Sequence, residues 1–498
     1  MSTRSPYAGR TPCRLAGMPQ RQISLAPADA TTTDSVREAL LARFAAIRAE
    51  VQASEAFPPE VQAEAEKVAA APPAAPERDE TSVPFVTLDP ATSMDLDQAM
   101  CLERDGQGYR VRYAIADVPA FVAPGGAIDT ESRRRGQTIY CPDVRVPLHP
   151  PVLSEGAASL LPGQVRPAFV WDIRLDAEGE QTGAELYRAR VKSVERFDYV
   201  GVQEQIDAGT TDERWVLLKE IGEKRVRQEQ LRGGASLPMP EQEVSVGDDG
   251  NFTLAFRPPR SSEDWNAQIS LLTGMVAADM MLHAGVGILR TMPDADHNAV
   301  ARFRRQAKAL GAPWPAEQNY GDFLRSLDRN NPKHLALIHS ATALFRGAGY
   351  TPFEGDVPEQ AEHAAVADAY AHVTAPLRRL VDRFGLVICE AISSGAEVPT
   401  WVREALPTIP EIMKDSDRRA GSAERMCADA VEAAVLQSRV GQAFDAVVVE
   451  RDDRGLEVQL LQLPVIVRAK GEAELGASVS VRLESVDLTA GQAKFVLA

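Results

Sequence analysis

Apolar and polar residues alternate with period two through Tyr109-Arg-Val-Arg-Tyr-Ala-Ile115 and Phe169-Val-Trp-Asp-Ile-Arg-Leu175. With Pro and Gly turns between such runs, residues 81–200 predict short strands. From 201 to 436 apolar residues recur every three or four positions, which predicts helices over 213–232, 264–290, 297–311, 333–348, 365–394 and 417–440. The tail returns to strands at Ala446–Glu450, Leu456–Leu460, Val465–Ala469, Val479–Val486 and Lys494–Leu497. A strand-rich stretch followed by a helix-rich one means α+β. Five short strands in the last ~55 residues fit an OB-type barrel.

The beginning reads differently. Residues 1–30 are rich in Ser, Thr, Ala, Pro and Arg without a period and predict disorder. Thr33-Asp34 offers a cap ahead of Val36, Leu40, Phe44, Ile47 and Val51, one apolar stripe on a helix. A second helix is expected from Pro59 to Ala70, and the Ala/Pro-rich piece Ala71–Asp79 reads as a linker. The chain of 498 residues is too long for one core. It is expected to divide into a start, small helical module and linker (1–80), a central domain (81–438) and a terminal barrel (439–498). The module is either helix-turn-helix-like or a plain packing element.

Composition narrows the class. No apolar run approaches the ~18 residues of a membrane span, and the N-terminus lacks a signal-peptide core. Five scattered cysteines without C-x-x-C spacing read as reduced thiols, so a cytoplasmic location is expected. The net charge of −17 argues against a generic nucleic-acid binder. Binding needs only a local basic track, however, and Arg133-Arg134-Arg135, the Arg302–Lys308 cluster and Arg378-Arg379 with Arg383 are candidates.

The chemistry is concentrated in residues 85–101. Asp89, Asp95 and Asp97 follow a β-like run that Pro90 must end, so a loop should carry all three. Gathered carboxylates repel unless a cation lies between them, and oxygen-only ligands suit Mg²⁺ or Mn²⁺. A D-x-D loop is also compatible with a solvated acidic turn, and sugar-nucleotide transferases and some phosphatases use one.

The acidic cluster resembles the catalytic signature of the ribonuclease II (RNB) family, and further segments agree with that family in order. They are Tyr113-Ala-Ile-Ala-Asp-Val118, Val122-Ala-Pro-Gly-Gly126 through Arg133-Arg-Arg-Gly136, Ile139-Tyr-Cys-Pro142, Ala158-Ser-Leu-Leu-Pro162, Arg196-Phe-Asp-Tyr199, Thr374-Ala-Pro-Leu-Arg-Arg379 and Ala423-Glu-Arg425. The resemblance implies an RNB catalytic domain, a mixed sheet surrounded by helices. Its implied activity is that of a metal-dependent 3′-to-5′ exoribonuclease releasing nucleoside 5′-monophosphates. It makes Asp89, Asp95 and Asp97 metal ligands, Arg378 the transition-state arginine and Glu424 an assisting acid. Tyr140 becomes the stacking aromatic, and Arg379, Arg133 and Arg134 become RNA contacts.

Gln98 stands where the family carries a fourth aspartate. It is expected to offer its carbonyl oxygen to the metal or to hold a metal-bound water, giving a site one charge weaker, with looser metal binding or a preference for Mn²⁺. The alternative is a catalytically weak RNA-binding or regulatory protein of the same fold. The implied partner is single-stranded RNA, including RNA whose 3′ overhang adjoins a duplex, with no obligate protein partner. Most relatives carry two cold-shock-type barrels before the catalytic core, so the helical start predicts a more open channel mouth.

Overall fold

The computed structural model describes residues 23–25, 34–71, 74–235, 241–246, 252–257, 259–328, 331–453, 455–463 and 465–498. The expected disorder of residues 1–30 lies almost wholly outside them. The alternating segments form strands Asp79–Leu88 (β1), Gln98–Asp105 (β2), Gly108–Ala116 (β3), Val165–Leu175 (β4) and Gln181–Phe197 (β5). Neighbours pair antiparallel until β5 returns parallel to β1, from Asp79 opposite Arg190 to Leu88 opposite Phe197. That last pairing closes the mixed sheet into a barrel.

Period-two patterning explains why both sides of the barrel are packed. Val111, Tyr113 and Ile115 join the largest core with Trp171, Trp215, Leu272 and Phe384. The intervening Ala114 and Ala116 share a second cluster with Ala99, Ala168, Val170 and Ala189, whose small side chains allow close approach.

Six helices frame this barrel and its site: α1 (Asp34–Glu50), α2 (Pro59–Ala70), α3 (Ala127–Arg135), α4 (Ser261–Ala284), α5 (Leu380–Ser394) and α6 (Ile409–Gln437). Two expectations overran. The expected helix 264–290 stops at Ala284, because Gly285 (φ +70°) turns the chain and Val286–Thr291 runs out as a strand against Gly349–Glu354. The expected helix 365–394 starts only at Leu380. Pro376 disfavours helical backbone before it, and Thr374–Arg379 is a tight turn instead.

The terminal segment closes a second barrel from the five expected strands, at Ala443–Asp452, Gly455–Leu460, Ile466–Lys470, Ser478–Asp487 and Gln492–Leu497. Its aromatics Phe444 and Phe495 are buried edge-to-face against each other, centroids 6.0 Å apart. They hold the barrel together and offer no stacking surface.

The two N-terminal helices do not share a core of their own. The α1 stripe of Leu40, Phe44, Ile47 and Val51 packs into one cluster with α6 and the terminal barrel, while Val61 and Ala65 of α2 pack against the first barrel's small-residue face. These helices are therefore built into the larger bodies, in the manner of a plain packing element.

Candidate active site

The acids lie where the pattern put them, on the loop joining β1 to β2. Asp89 leaves β1 with its N–H bonded to the Phe197 carbonyl at 3.2 Å, so the parallel β1/β5 pairing fixes its backbone. Asp97 ends the loop and is buried. Its Oδ1 accepts the Leu377 N–H at 2.7 Å, and its Oδ2 lies 3.7 Å from Arg378 Nε. A carboxylate 280 residues away in sequence thus seats the arginine turn.

That turn is held from several sides. Ser270 and Thr374 hydroxyls meet at 2.9 Å, and the Ala375 N–H donates to Asp382 at 2.7 Å. The Arg378 carbonyl accepts from Thr138 N–H at 2.9 Å, and Leu380 N–H donates to the Gly136 carbonyl at 2.9 Å. Gly136 is required here: its φ is +73°, and a Cβ would meet Ser416 of α6 at 2.5 Å. Three residues on, the two-residue strand Ile139–Tyr140 pairs with Arg145–Val146, placing Tyr140 directly across from Arg145.

Electrostatics shows what this assembly gathers. Burial pushes the Asp89 carboxyl up to about 8, with Asp95 adding repulsion and Arg378 and Arg196 opposing. Burial also pushes Asp97 well above the carboxylate range, against the pull of Arg378 and the Leu377 N–H. The Tyr140 hydroxyl is raised first by burial and then by the nearby Asp95 charge. Asp89, Asp95, Asp97, Arg378 and Tyr140 therefore share one electrostatic neighbourhood, with Asp95 within reach of the other two acids.

Arg145, which sequence reasoning missed, is the counter-ion of this loop. It is buried and forms ion pairs with both Asp95 and Glu155. No three acidic, His or Cys side chains among the described residues converge tightly enough to hold a metal as they stand. The donor set nonetheless fits a hard divalent cation: oxygen-only, and including buried carboxylates that a cation would keep ionised. No hydrogen bond to the Asp89 carboxylate occurs among the described residues, which leaves its oxygens for such a role.

Gln98 departs from expectation. Its Oε1 accepts the Tyr113 hydroxyl at 2.6 Å, and its Nε2 donates to the Thr374 carbonyl at 2.6 Å. The amide bridges β3 and the arginine turn, with both of its ends engaged inside the protein. Arg379 is a second correction. It is buried and forks onto Asp382 with both contacts at 2.8 Å, so its charge serves the start of α5 and not RNA. Arg133 pairs with Asp129 at 3.1 Å, and Arg134 with Glu131 at 2.7 and 2.6 Å. Both are drawn back onto α3, although half of the Arg134 side chain remains exposed. Arg383 of the expected basic track is buried against Asp129 at 2.5 Å. Glu424 is partly buried on α6, the helix that packs on the Ile139–Tyr140 strand. No helix among the described residues is long and apolar enough to cross a membrane.

Residues 77–389 match the model of the RNB domain, and residues 442–498 that of the RNase II-type exonuclease C-terminal S1 domain. The chain is 26% identical over 472 residues to ribonuclease R of Escherichia coli (strain K12), covering 83% of this chain and 56% of that one. To exoribonuclease 2 of Proteus mirabilis (strain HI4320) it is 25% identical over 410 residues, covering 78% and 61%. It thus spans little more than half the length of these curated relatives. Among solved structures, Mycoplasma genitalium RNase R in complex with ribose methylated single-stranded RNA superposes with a TM-score of 0.81 at 19% identity, covering 93% of this chain and 78% of that one. At that identity the likeness is one of fold.

Proposed function

The chain belongs to the RNB family, and from that premise we propose that it is a metal-dependent 3′-to-5′ exoribonuclease that shortens single-stranded RNA to nucleoside 5′-monophosphates. One observation carries the reading. Asp97 is joined through Leu377 and Arg378 to the arginine turn, with Asp89, Asp95 and Tyr140 in the same electrostatic neighbourhood.

Asp89, Asp95 and Asp97 would hold a Mg²⁺ or Mn²⁺, which supplies Lewis acidity toward the scissile phosphodiester. The remaining roles belong to the chain's own residues. Arg378 presents a planar fork that can bind two phosphate oxygens, and its charge meets the charge that builds up in the transition state. Its backbone is fixed through Thr138 and Asp97, so little reorganisation accompanies the reaction. Tyr140 offers a ring on which the terminal base can stack, worth about 1–3 kcal/mol without regard to sequence. Arg145 holds Asp95 in place until substrate arrives. Glu424, on the helix behind Tyr140, is proposed to contact the terminal residue. Ribose 2′-hydroxyl contacts would select RNA over DNA, and an RNA with a 3′ overhang beside a duplex is a further proposed substrate.

The test uses 5′-labelled and 3′-labelled single-stranded RNA, with DNA of the same sequence as control, in Mg²⁺, Mn²⁺ or EDTA. The expected result is a ladder shortening from the 3′ end, a mononucleotide released first from the 3′-labelled strand, and no reaction in EDTA. Binding of RNA without cleavage under any metal would overturn the proposal in favour of an RNA-binding role.

A further inference from the structure

Two of the cysteines read from sequence as inert thiols lie together beside the site. Cys141 follows Tyr140 and closes the turn to Arg145, its N–H donating to the Val144 carbonyl at 3.0 Å. Cys427 lies on α6, one turn beyond Glu424, and is buried. Both belong to the cluster in which α1, α6 and the terminal barrel meet, α6 packs on the strand that Cys141 follows, and the two thiols are neighbours. From α1, Arg48 reaches over the pair, bonded to both oxygens of Asp143 at 2.8 and 2.9 Å.

We propose that Cys141 and Cys427 are a redox modification site: under hydroperoxide they form a reversible disulfide that staples the Tyr140 strand to α6 and slows RNA turnover.

The two sulfurs are unequal in the way such a reaction needs. Cys141 is partly exposed, and its thiol is held below its ordinary range by the neighbouring Cys427 thiol and by the Arg48 guanidinium. Cys427 is deeper and pushed up by the same partnership and by burial. Cys141 is thus the attacking thiolate and Cys427 the resolving thiol. Burial raises Cys101 to about 11, and raises Cys389 as well, so neither competes.

In the first step the Cys141 thiolate attacks a peroxide oxygen. The O–O bond breaks, the sulfur becomes a sulfenic acid, and hydroxide leaves to be protonated to water. In the second step the Cys427 sulfur attacks the Cys141 sulfur. The S–O bond breaks, and the hydroxyl leaves as water with the Cys427 proton. Two thiols and one hydrogen peroxide molecule give one disulfide and two waters, with the sulfurs oxidised by two electrons and the peroxide reduced by two.

The consequence follows from position. The Ile139–Tyr140 ladder carries both the stacking ring and, through Arg145, the hold on Asp95. A covalent tie at Cys141 removes the slack that a base needs to pass Tyr140 between cleavages.

The experiment treats the full chain with hydrogen peroxide, blocks remaining thiols, and maps peptides by mass spectrometry under non-reducing conditions. A Cys141–Cys427 cross-linked peptide is expected, lost on treatment with dithiothreitol and absent from Cys427→Ser. Cys141 recovered as a free or sulfinic form beside an unreacted Cys427 would overturn the proposal. This arm needs no nuclease activity, so its failure is distinct from failure of the activity proposed above. The second arm compares RNA turnover of oxidised and reduced protein. A drop of about threefold or more, reversed by dithiothreitol and missing in Cys427→Ser, is expected. Unchanged turnover in fully cross-linked protein would overturn the regulatory half.

Discussion

Replacing Gln98 with leucine separates two accounts of the residue that follows the third aspartate. In the structure the amide is buried, and both its ends are used at 2.6 Å, one by the Tyr113 hydroxyl and one by the Thr374 carbonyl. Leucine fills most of the volume and keeps neither bond. Each lost bond is worth about 0.5–1.5 kcal/mol net, and a carbonyl facing an apolar side chain adds about 1–3 kcal/mol. The expected loss is therefore about 2–6 kcal/mol. Trp171 and Trp215 are fully buried in the first core and serve as fluorescence reporters in a urea titration. The same variant should turn over RNA more slowly, because the Thr374 end of the arginine turn is released. Its half-saturating Mg²⁺ concentration should not change. Unchanged urea stability together with a severalfold higher Mg²⁺ requirement would refute the structural account and restore Gln98 as a ligand. On the same reasoning Gln98→Asp, one methylene shorter and lacking a donor for Thr374, should not lower the Mg²⁺ requirement.

Three further outcomes are expected. Asp97→Asn keeps an oxygen for the Leu377 N–H but removes the charge, so hydrolysis should vanish while RNA affinity in a filter-binding assay stays within a few-fold. Arg378→Ala should lower kcat by about 10²–10³ with a much smaller change in KM, as expected when an interaction strengthens in the transition state; steady-state kinetics on a short RNA reads it. Asp382→Ala leaves the buried Arg379 fork uncompensated and should cost about 3–5 kcal/mol in a urea titration, much of it recovered in Asp382→Ala/Arg379→Met.

Much of the scaffold was legible because its signals are local. The alternation Tyr109–Ile115 needs no partner to be read as a strand, and all five terminal strands follow from their own residues. The overrun past Ala284 arose because Val286, Ile288 and Leu289 continue the apolar supply, and only Gly285 marks the break. In the site, motif order located the aspartates and Arg378 but not the direction each neighbour turns. Arg379 looks like its neighbour in sequence, yet Asp382 three residues on captures it. Gln98 is settled by Thr374, 276 residues away, and Arg145 by a two-residue ladder too short to leave a periodic trace.

The placement of α1 reaches beyond the resting structure to the order in which the molecule can be made. Leu40, Phe44, Ile47 and Val51 leave the ribosome hundreds of residues before most of the surface they bury against, which lies between Ala423 and Phe495. Until that surface is synthesised, most of the apolar face of this helix has no native place. Joining segments so distant in sequence carries a loop-closure cost. The first barrel, whose strands lie within residues 79–197, can close long before. The nascent protein would thus carry its acidic loop on a finished barrel while the seat of Tyr140, Cys141 and α6 is still open. Strands Ser478–Asp487 and Gln492–Leu497 then complete the terminal barrel against α6.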